Sequence, residues 1–237
     1  MVEPRKHFHD ELDKLETTVQ EMGTAAGAML RQALEALIDD DPDLCDAVIS
    51  GDDIVDAHYI LIERGVVELF ALQGPVATDL RLLASVLHVN LHLERVADMA
   101  VNIAKITRAS AGLPRSQPVL TKLQEMGTIA TTMLAASLDA FARRDLSLAR
   151  ALPAMDDPLD QLNRGMLTEV LADSKNKPML EWGMQMHVVS RQFERVGDHA
   201  VDIAEQAAYL VTGVFQEFTD ASHPEIEANN RLTEAGI

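Results

Sequence analysis

The sequence predicts an all-α protein made of two tandem three-helix halves, and three observations lead there. Aromatic residues make up 4% of the 237-residue chain, while Leu, Ala, Val and Met are plentiful, a composition that favours helices over sheets. Apolar residues recur at helical spacing. Leu82, Val86, Val89, Leu93, Val96, Ala100 and Ile103 alternate steps of four and three, as do Met186, Val189, Phe193, Val196, Ala200, Ile203 and Ala207. No stretch alternates with period two. Finally, residue identities of the first half return in the second.

Breakers set the elements in order. Asp41-Pro42-Asp43 ends a first helix near Ile38 and places acidic groups at the positive end of the next. Gln73-Gly74-Pro75 closes the second helix with Gly at the position after the cap and predicts Pro75 early in the third. The two prolines of 111–118 mark a linker between a first bundle over 1–110 and a second over 119–215. Helices over about 117–143, 145–173 and 178–213 follow, with Asn176-Lys177-Pro178 between the last two. Residues 216–237 read as a polar, frayed tail.

The duplication is specific. Met22-Gly23-Thr24 returns 104 residues on as Met126-Gly127-Thr128, and Asp52, Asp53 and Asp56 return at the same offset as Asp156, Asp157 and Asp160. On the third helix Leu93-Glu94-Arg95-Val96-Ala97-Asp98 returns as Phe193-Glu194-Arg195-Val196-Gly197-Asp198 at an offset of 100, so the second half has lost a net four residues. An apolar seam alone does not preserve Glu, Arg and Asp; the repeated feature is polar.

Composition narrows the function. With 38 acidic against 20 basic residues, a net charge of −18 and a pI near 4.7, the chain is a poor partner for nucleic-acid phosphates or an anionic membrane. It suits cations or a basic protein surface. The single Cys45 closes no intramolecular disulfide, which fits a reducing compartment. No apolar run follows the polar opening Met1–Asp10, and no window has the roughly 18 apolar residues of a spanning helix, so no secretory signal and no membrane insertion are expected. Cytoplasmic residence follows as an expectation.

The candidate site is carboxylate-rich. Glu94 and Asp98 lie four apart on one helix face, and Glu194, Asp198 and Asp202 extend the same pattern over two turns. Asp52/Asp56 and Asp156/Asp160 form a second pair in each half, on the preceding helix. Like charges at this spacing destabilise a helix, and a hard cation reverses that sign. The competing reading is a merely solvated acidic face. His88 and His92 share the spacing of two zinc ligands, but their counterparts are Val188 and Gln192, so they stand outside the repeat and read as a partly exposed face. No Glu-x-x-His, nucleophile elbow, phosphate loop or dinucleotide fingerprint occurs, so an enzyme is not expected.

The stretch Gln73-Gly74-Pro75-Val76-Ala77-Thr78-Asp79-Leu80-Arg81, followed by the doubled Glu-Arg-x-x-Asp at 94–98 and 194–198, resembles the signature of the PhoU family. The likeness runs over about residues 5–213. It implies two three-helix bundles related by pseudo-twofold symmetry. It also implies a cytoplasmic, non-enzymatic negative regulator of phosphate uptake and phosphate-starvation signalling. Its implied partners are the ATPase subunit of a phosphate ABC transporter, a sensor histidine kinase and a second copy of the chain. The family's acidic pairs bind multinuclear metal clusters. Carried over, the ligands are Asp52, Asp56, Glu94 and Asp98 in the first half and Asp156, Asp160, Glu194, Asp198 and Asp202 in the second. The metal expected is iron, with zinc, manganese and magnesium as substitutes. Asn102 stands where the second half has Asp202, and Met179-Leu180-Glu181-Trp182 replaces the Pro-x-Ala-x-Asp-Leu-Arg turn, so Asp79 and Arg81 serve either a contact made once or a local cap and ion pair. The alternative function is a metal-free acidic scaffold for another transporter or kinase, and a weaker third is a metal-dependent oxidase or hydrolase.

Overall fold

A computed structural model describes residues 4–172 and 175–218, and these form six helices with no strand among them. They are α1 (Pro4–Asp39), α2 (Pro42–Gln73), α3 (Ala77–Ala109), α4 (Gln117–Arg143), α5 (Leu146–Ala172) and α6 (Lys177–Thr212). Most of the tail expected over 216–237 lies outside the described residues. Among those described, no helix is long and apolar enough to cross a membrane.

Local chemistry sets the helix ends. The Asp41 carboxylate accepts hydrogen bonds from the backbone N–H groups of Asp43 and Leu44 at 2.9 and 3.0 Å, capping α2 with Pro42 in its first turn. Gly74 ends α2 in the left-handed region at φ 54°. Pro75 differs from expectation. It stands two residues ahead of α3, because Val76 is extended and Ala77 has φ 50°, which breaks the helical run before the proline can join it. Asn176 caps α6 through Met179 N–H. Between the halves, Arg115 donates to the carbonyls of Leu37 and Ile38, occupying acceptors that the end of α1 leaves open.

α1, α2 and α3 pack on one another, as do α4, α5 and α6, and the halves meet through α3 against α6 and α1 against α4. The second contact shows the twofold relation directly. A Cβ on Gly23 would meet Leu138 Cδ1 at 2.8 Å, and a Cβ on Gly127 would meet Leu34 Cδ1 at 2.6 Å. Each pair is the other shifted by 104 residues, so α1 and α4 exchange the same glycine-leucine contact. The periodic seams are the core: Val86, Leu93, Val96, Met186, Phe193 and Val196 are fully buried. Cys45 is buried and unbridged. The net shortening of the second half falls in α5, which has 27 residues against 32 in α2.

Candidate functional site

In the first half α2 lays Asp52 and Asp56 beside Glu94 and Asp98 of α3. Val55, between the two aspartates, is fully buried, and Ala97, between Glu94 and Asp98, is buried as well. Those apolar anchors fix the faces on which the carboxylates stand. The second half repeats the device with Leu159 between Asp156 and Asp160, and with Gly197 between Glu194 and Asp198.

Burial and like charge act together on these groups. Desolvation pushes Asp52 upward, followed by the negative charges of Asp56 and Asp98. Desolvation likewise raises Glu94, with Asp98 next, while Arg95 opposes the shift. Asp156 moves furthest, pushed up to about 7 by desolvation and then by Asp198, Asp160 and Glu194. Glu194 rises through desolvation and then Asp198. Asp198, although exposed at the surface, rises through desolvation and then Asp160. Each quartet therefore shares one electrostatic neighbourhood.

Three buried carboxylate oxygens in these quartets have no hydrogen-bond partner: Glu94 Oε2, Asp156 Oδ1 and Glu194 Oε2. Arg95 Nε approaches Glu94 Oε2 to 3.4 Å without hydrogen-bond alignment, and Arg95 Nη1 reaches Asp98 at 3.2 Å. In the second half Arg191 pairs with Glu194 at 2.9 Å and Arg164 pairs with Asp160. An orphaned buried carboxylate oxygen is costly, and a hard divalent or trivalent cation is the partner whose chemistry matches such an oxygen-only donor set. The donor chemistry suits a metal, although no three residues of either quartet bring ligand atoms within 4.8 Å of one another.

Asp202 faces His92 of α3 and its own helix neighbour His199, and these three supply the one group among the described residues whose His, Cys or carboxylate ligand atoms all lie within 4.8 Å of one another. Asp202 still adds to the negative field on Asp198. His92 is half-buried, in line with the partly exposed face expected of it, and desolvation lowers its pKa against the pull of Asp202. His88 is exposed. The pairing of His92 with His199 was missed from sequence because it depends on how α3 meets α6. A signal existed, since His92, His199 and Asp202 replace Gln192, Met99 and Asn102 of the other copy.

Arg81 and Asp79 divide. Arg81 donates to Thr78 Oγ1 at 3.2 Å, its Nε is buried without a partner, and its guanidinium lies by Gly213 at the end of α6. The contact joins the start of α3 to the other half. Asp79 lies in the first turn of α3, whose cap, Val76, makes no side-chain hydrogen bond.

Comparison with known proteins agrees with this fold. The PhoU domain matches the chain twice, over residues 19–107 and 123–207. A phosphate-specific transport system accessory protein PhoU homolog of Clostridium acetobutylicum is 32% identical over 218 residues, 91% of this chain and 99% of that one. The phosphate-specific transport system accessory protein PhoU of Escherichia coli is 31% identical over 224 residues, 93% of this chain and 90% of that one. The crystal structure of PhoU from Pseudomonas aeruginosa superposes with a TM-score of 0.83 at 29% identity, covering 87% of this chain and all of that one.

Proposed function

The chain belongs to the PhoU family, and from that premise we propose that it is a cytoplasmic accessory protein of phosphate transport that restrains uptake and starvation signalling when phosphate is plentiful. The supporting observation is whole-length kinship with phosphate-specific transport accessory proteins, in a chain whose two polar quartets repeat with their identities intact. In this reading the protein is an adaptor and carries out no catalysis. Its strongly acidic surface meets basic surfaces of the transporter's ATPase subunit and of a sensor histidine kinase, as a homodimer, and salt weakens both contacts.

Asp52, Asp56, Glu94 and Asp98 hold one multinuclear metal cluster in this reading, and Asp156, Asp160, Glu194 and Asp198 hold another. Iron is the best match to the oxygen donors, with manganese, magnesium or zinc as substitutes. When bound, such ions supply positive charge that neutralises the packed carboxylates. The chain's own contribution is to keep α2 on α3 and α5 on α6 so that the anions face one another.

A metal-free acidic scaffold for another transporter or kinase is the second reading, favoured by the arginines Arg95, Arg164 and Arg191 that already pair with the quartets. One experiment separates the two. In a deletion strain grown in ample phosphate, the wild-type gene should silence a phosphate-starvation reporter, and the untagged protein should carry metal and retain the ATPase subunit at low salt. Silencing by a protein without metal favours the scaffold on phosphate transport; no silencing removes phosphate from the reading.

A further inference from the structure

Outside both quartets, three side chains converge where α3 of the first half meets α6 of the second. His92 Nδ1 stands 3.0 Å from His199 Nδ1, and Asp202 Oδ2 lies 3.4 Å from the former and 3.5 Å from the latter. We propose that these three atoms bind a zinc ion, in a two-histidine, one-carboxylate site that clasps the two halves together.

The triangle has the right size. A tetrahedral zinc site with bonds of about 2.0–2.1 Å has edges of about 3.3 Å. Sides of 3.0, 3.4 and 3.5 Å make one face of such a tetrahedron without moving a helix. The side chains of His92 and His199 are 16% and 17% exposed and that of Asp202 is 42% exposed, so the fourth corner opens to water. Two imidazoles also change the preference relative to the quartets, from hard cations toward borderline ions such as zinc and cobalt.

Hydrogen bonding alone accounts for less of this arrangement. One proton shared between the two Nδ1 atoms joins the imidazoles, but the carboxylate then sits at 3.4 and 3.5 Å, well beyond the roughly 2.7–2.9 Å of a charge-assisted N–H···O contact. Duplication supplies an internal control. The pseudo-twofold counterpart of this spot is built from Gln192, Met99 and Asn102. All three imidazole or carboxylate ligands are concentrated at one of two otherwise matching places. The ion would tie residues 107 apart in sequence.

The site is independent of the phosphate reading, so loss of reporter silencing leaves it standing. The test uses the full chain without a polyhistidine tag, stripped by chelator and titrated with zinc by calorimetry and with cobalt by visible absorption. His92→Gln and Asp202→Asn copy the counterpart residues, and circular dichroism checks that they fold. We expect wild type to bind one zinc ion more tightly than any the quartets take, and either variant to weaken that tight site by at least about 10–100-fold, the loss known for outer-sphere partners of metal ligands. Cobalt in wild type should give an intense tetrahedral spectrum that both variants lose and that Asp156→Asn/Asp160→Asn keeps. Zinc binding unchanged in both variants, or lost only with the quartet substitutions, overturns the site. If one variant melts early, the other and the wild-type cobalt spectrum decide. A weak, octahedral, oxygen-only spectrum in wild type also overturns it.

Discussion

Gly197 lies directly beneath Asp156: a Cβ at residue 197 would overlap Asp156 Oδ1 and come within 2.7 Å of Leu159 Cδ2. The first half has a buried Ala97 at the matching position. The second quartet is therefore the tighter of the two, and Asp156 is the carboxylate displaced furthest, to about 7. Gly197→Ala must displace the Asp156 carboxylate and the Leu159 side chain, or move α5 away from α6. The expected cost is about 1–3 kcal/mol of stability, as for other overpacked interiors. Denaturant unfolding measures it, and an unperturbed midpoint would mean that these groups move aside freely.

The core residues of the two repeats can be tested as a pair. Leu93 and Phe193 occupy matching positions and are both fully buried. Leu93→Ala should cost about 2–5 kcal/mol and Phe193→Ala about 3–5 kcal/mol. Because α3 packs on α6, neither variant should unfold one half alone. A biphasic unfolding curve in either variant would show that the halves are independent units.

Much of the fold was legible because its determinants are local. The Asp41 cap, Gly74 and the alternating seams act within a few residues, and the observed helices follow them. Pro75 was misread because the same dipeptide chemistry permits either a helix start or an extended lead-in, and the conformation of Ala77 decides between them. The quartets were readable because duplication repeated their polar identities. The His92–His199 contact was not, since those residues approach only through packing between halves. Glu205 was missed for a similar reason. It lies off the apolar seam of α6, on the face of Asp198 and Asp202 where helical spacing predicts exposure, yet it is buried, and Lys105 is its counterpart.

Glu205 makes a pH prediction. It is 7% exposed, accepts a hydrogen bond from the backbone N–H of Phe218 at 2.6 Å, and is pushed up to about 7 by desolvation, which that hydrogen bond partly offsets. Between the ordinary glutamate range and pH 7 the folded chain holds a proton that the unfolded chain has released. Stability from this group therefore falls as pH rises through that window, by at most about 1.4 kcal/mol per pH unit. Glu205→Gln keeps the acceptor oxygen and removes the titration. The melting temperature of the variant should exceed that of wild type at pH 8 and converge with it near pH 4.5. A constant difference across that range would place the Glu205 pKa in its ordinary position.

Charge removal in the quartets should change sign with metal. In metal-free protein, Asp156 is desolvated, faces three other carboxylates and leaves Oδ1 without a partner. Its ionised form is destabilising at neutral pH, so Asp156→Asn should raise the melting temperature of chelator-treated protein. A bound cation reverses the balance, because binding confined to the folded state stabilises it with the logarithm of free metal. The same variant should then melt below wild type in excess iron or manganese, having lost a ligand. Glu94→Gln/Asp98→Asn should behave alike in the first half, with a smaller metal-free gain, because Glu94 and Asp98 also pair with Arg95, which the substitutions leave without its partners. Calorimetric melts of wild type and both variants, with chelator and with each metal, give the comparison. Crossing curves support ligation by the quartets. If the variants are the more stable under every condition, the carboxylates are only a repelling surface, and cations act elsewhere on the molecule.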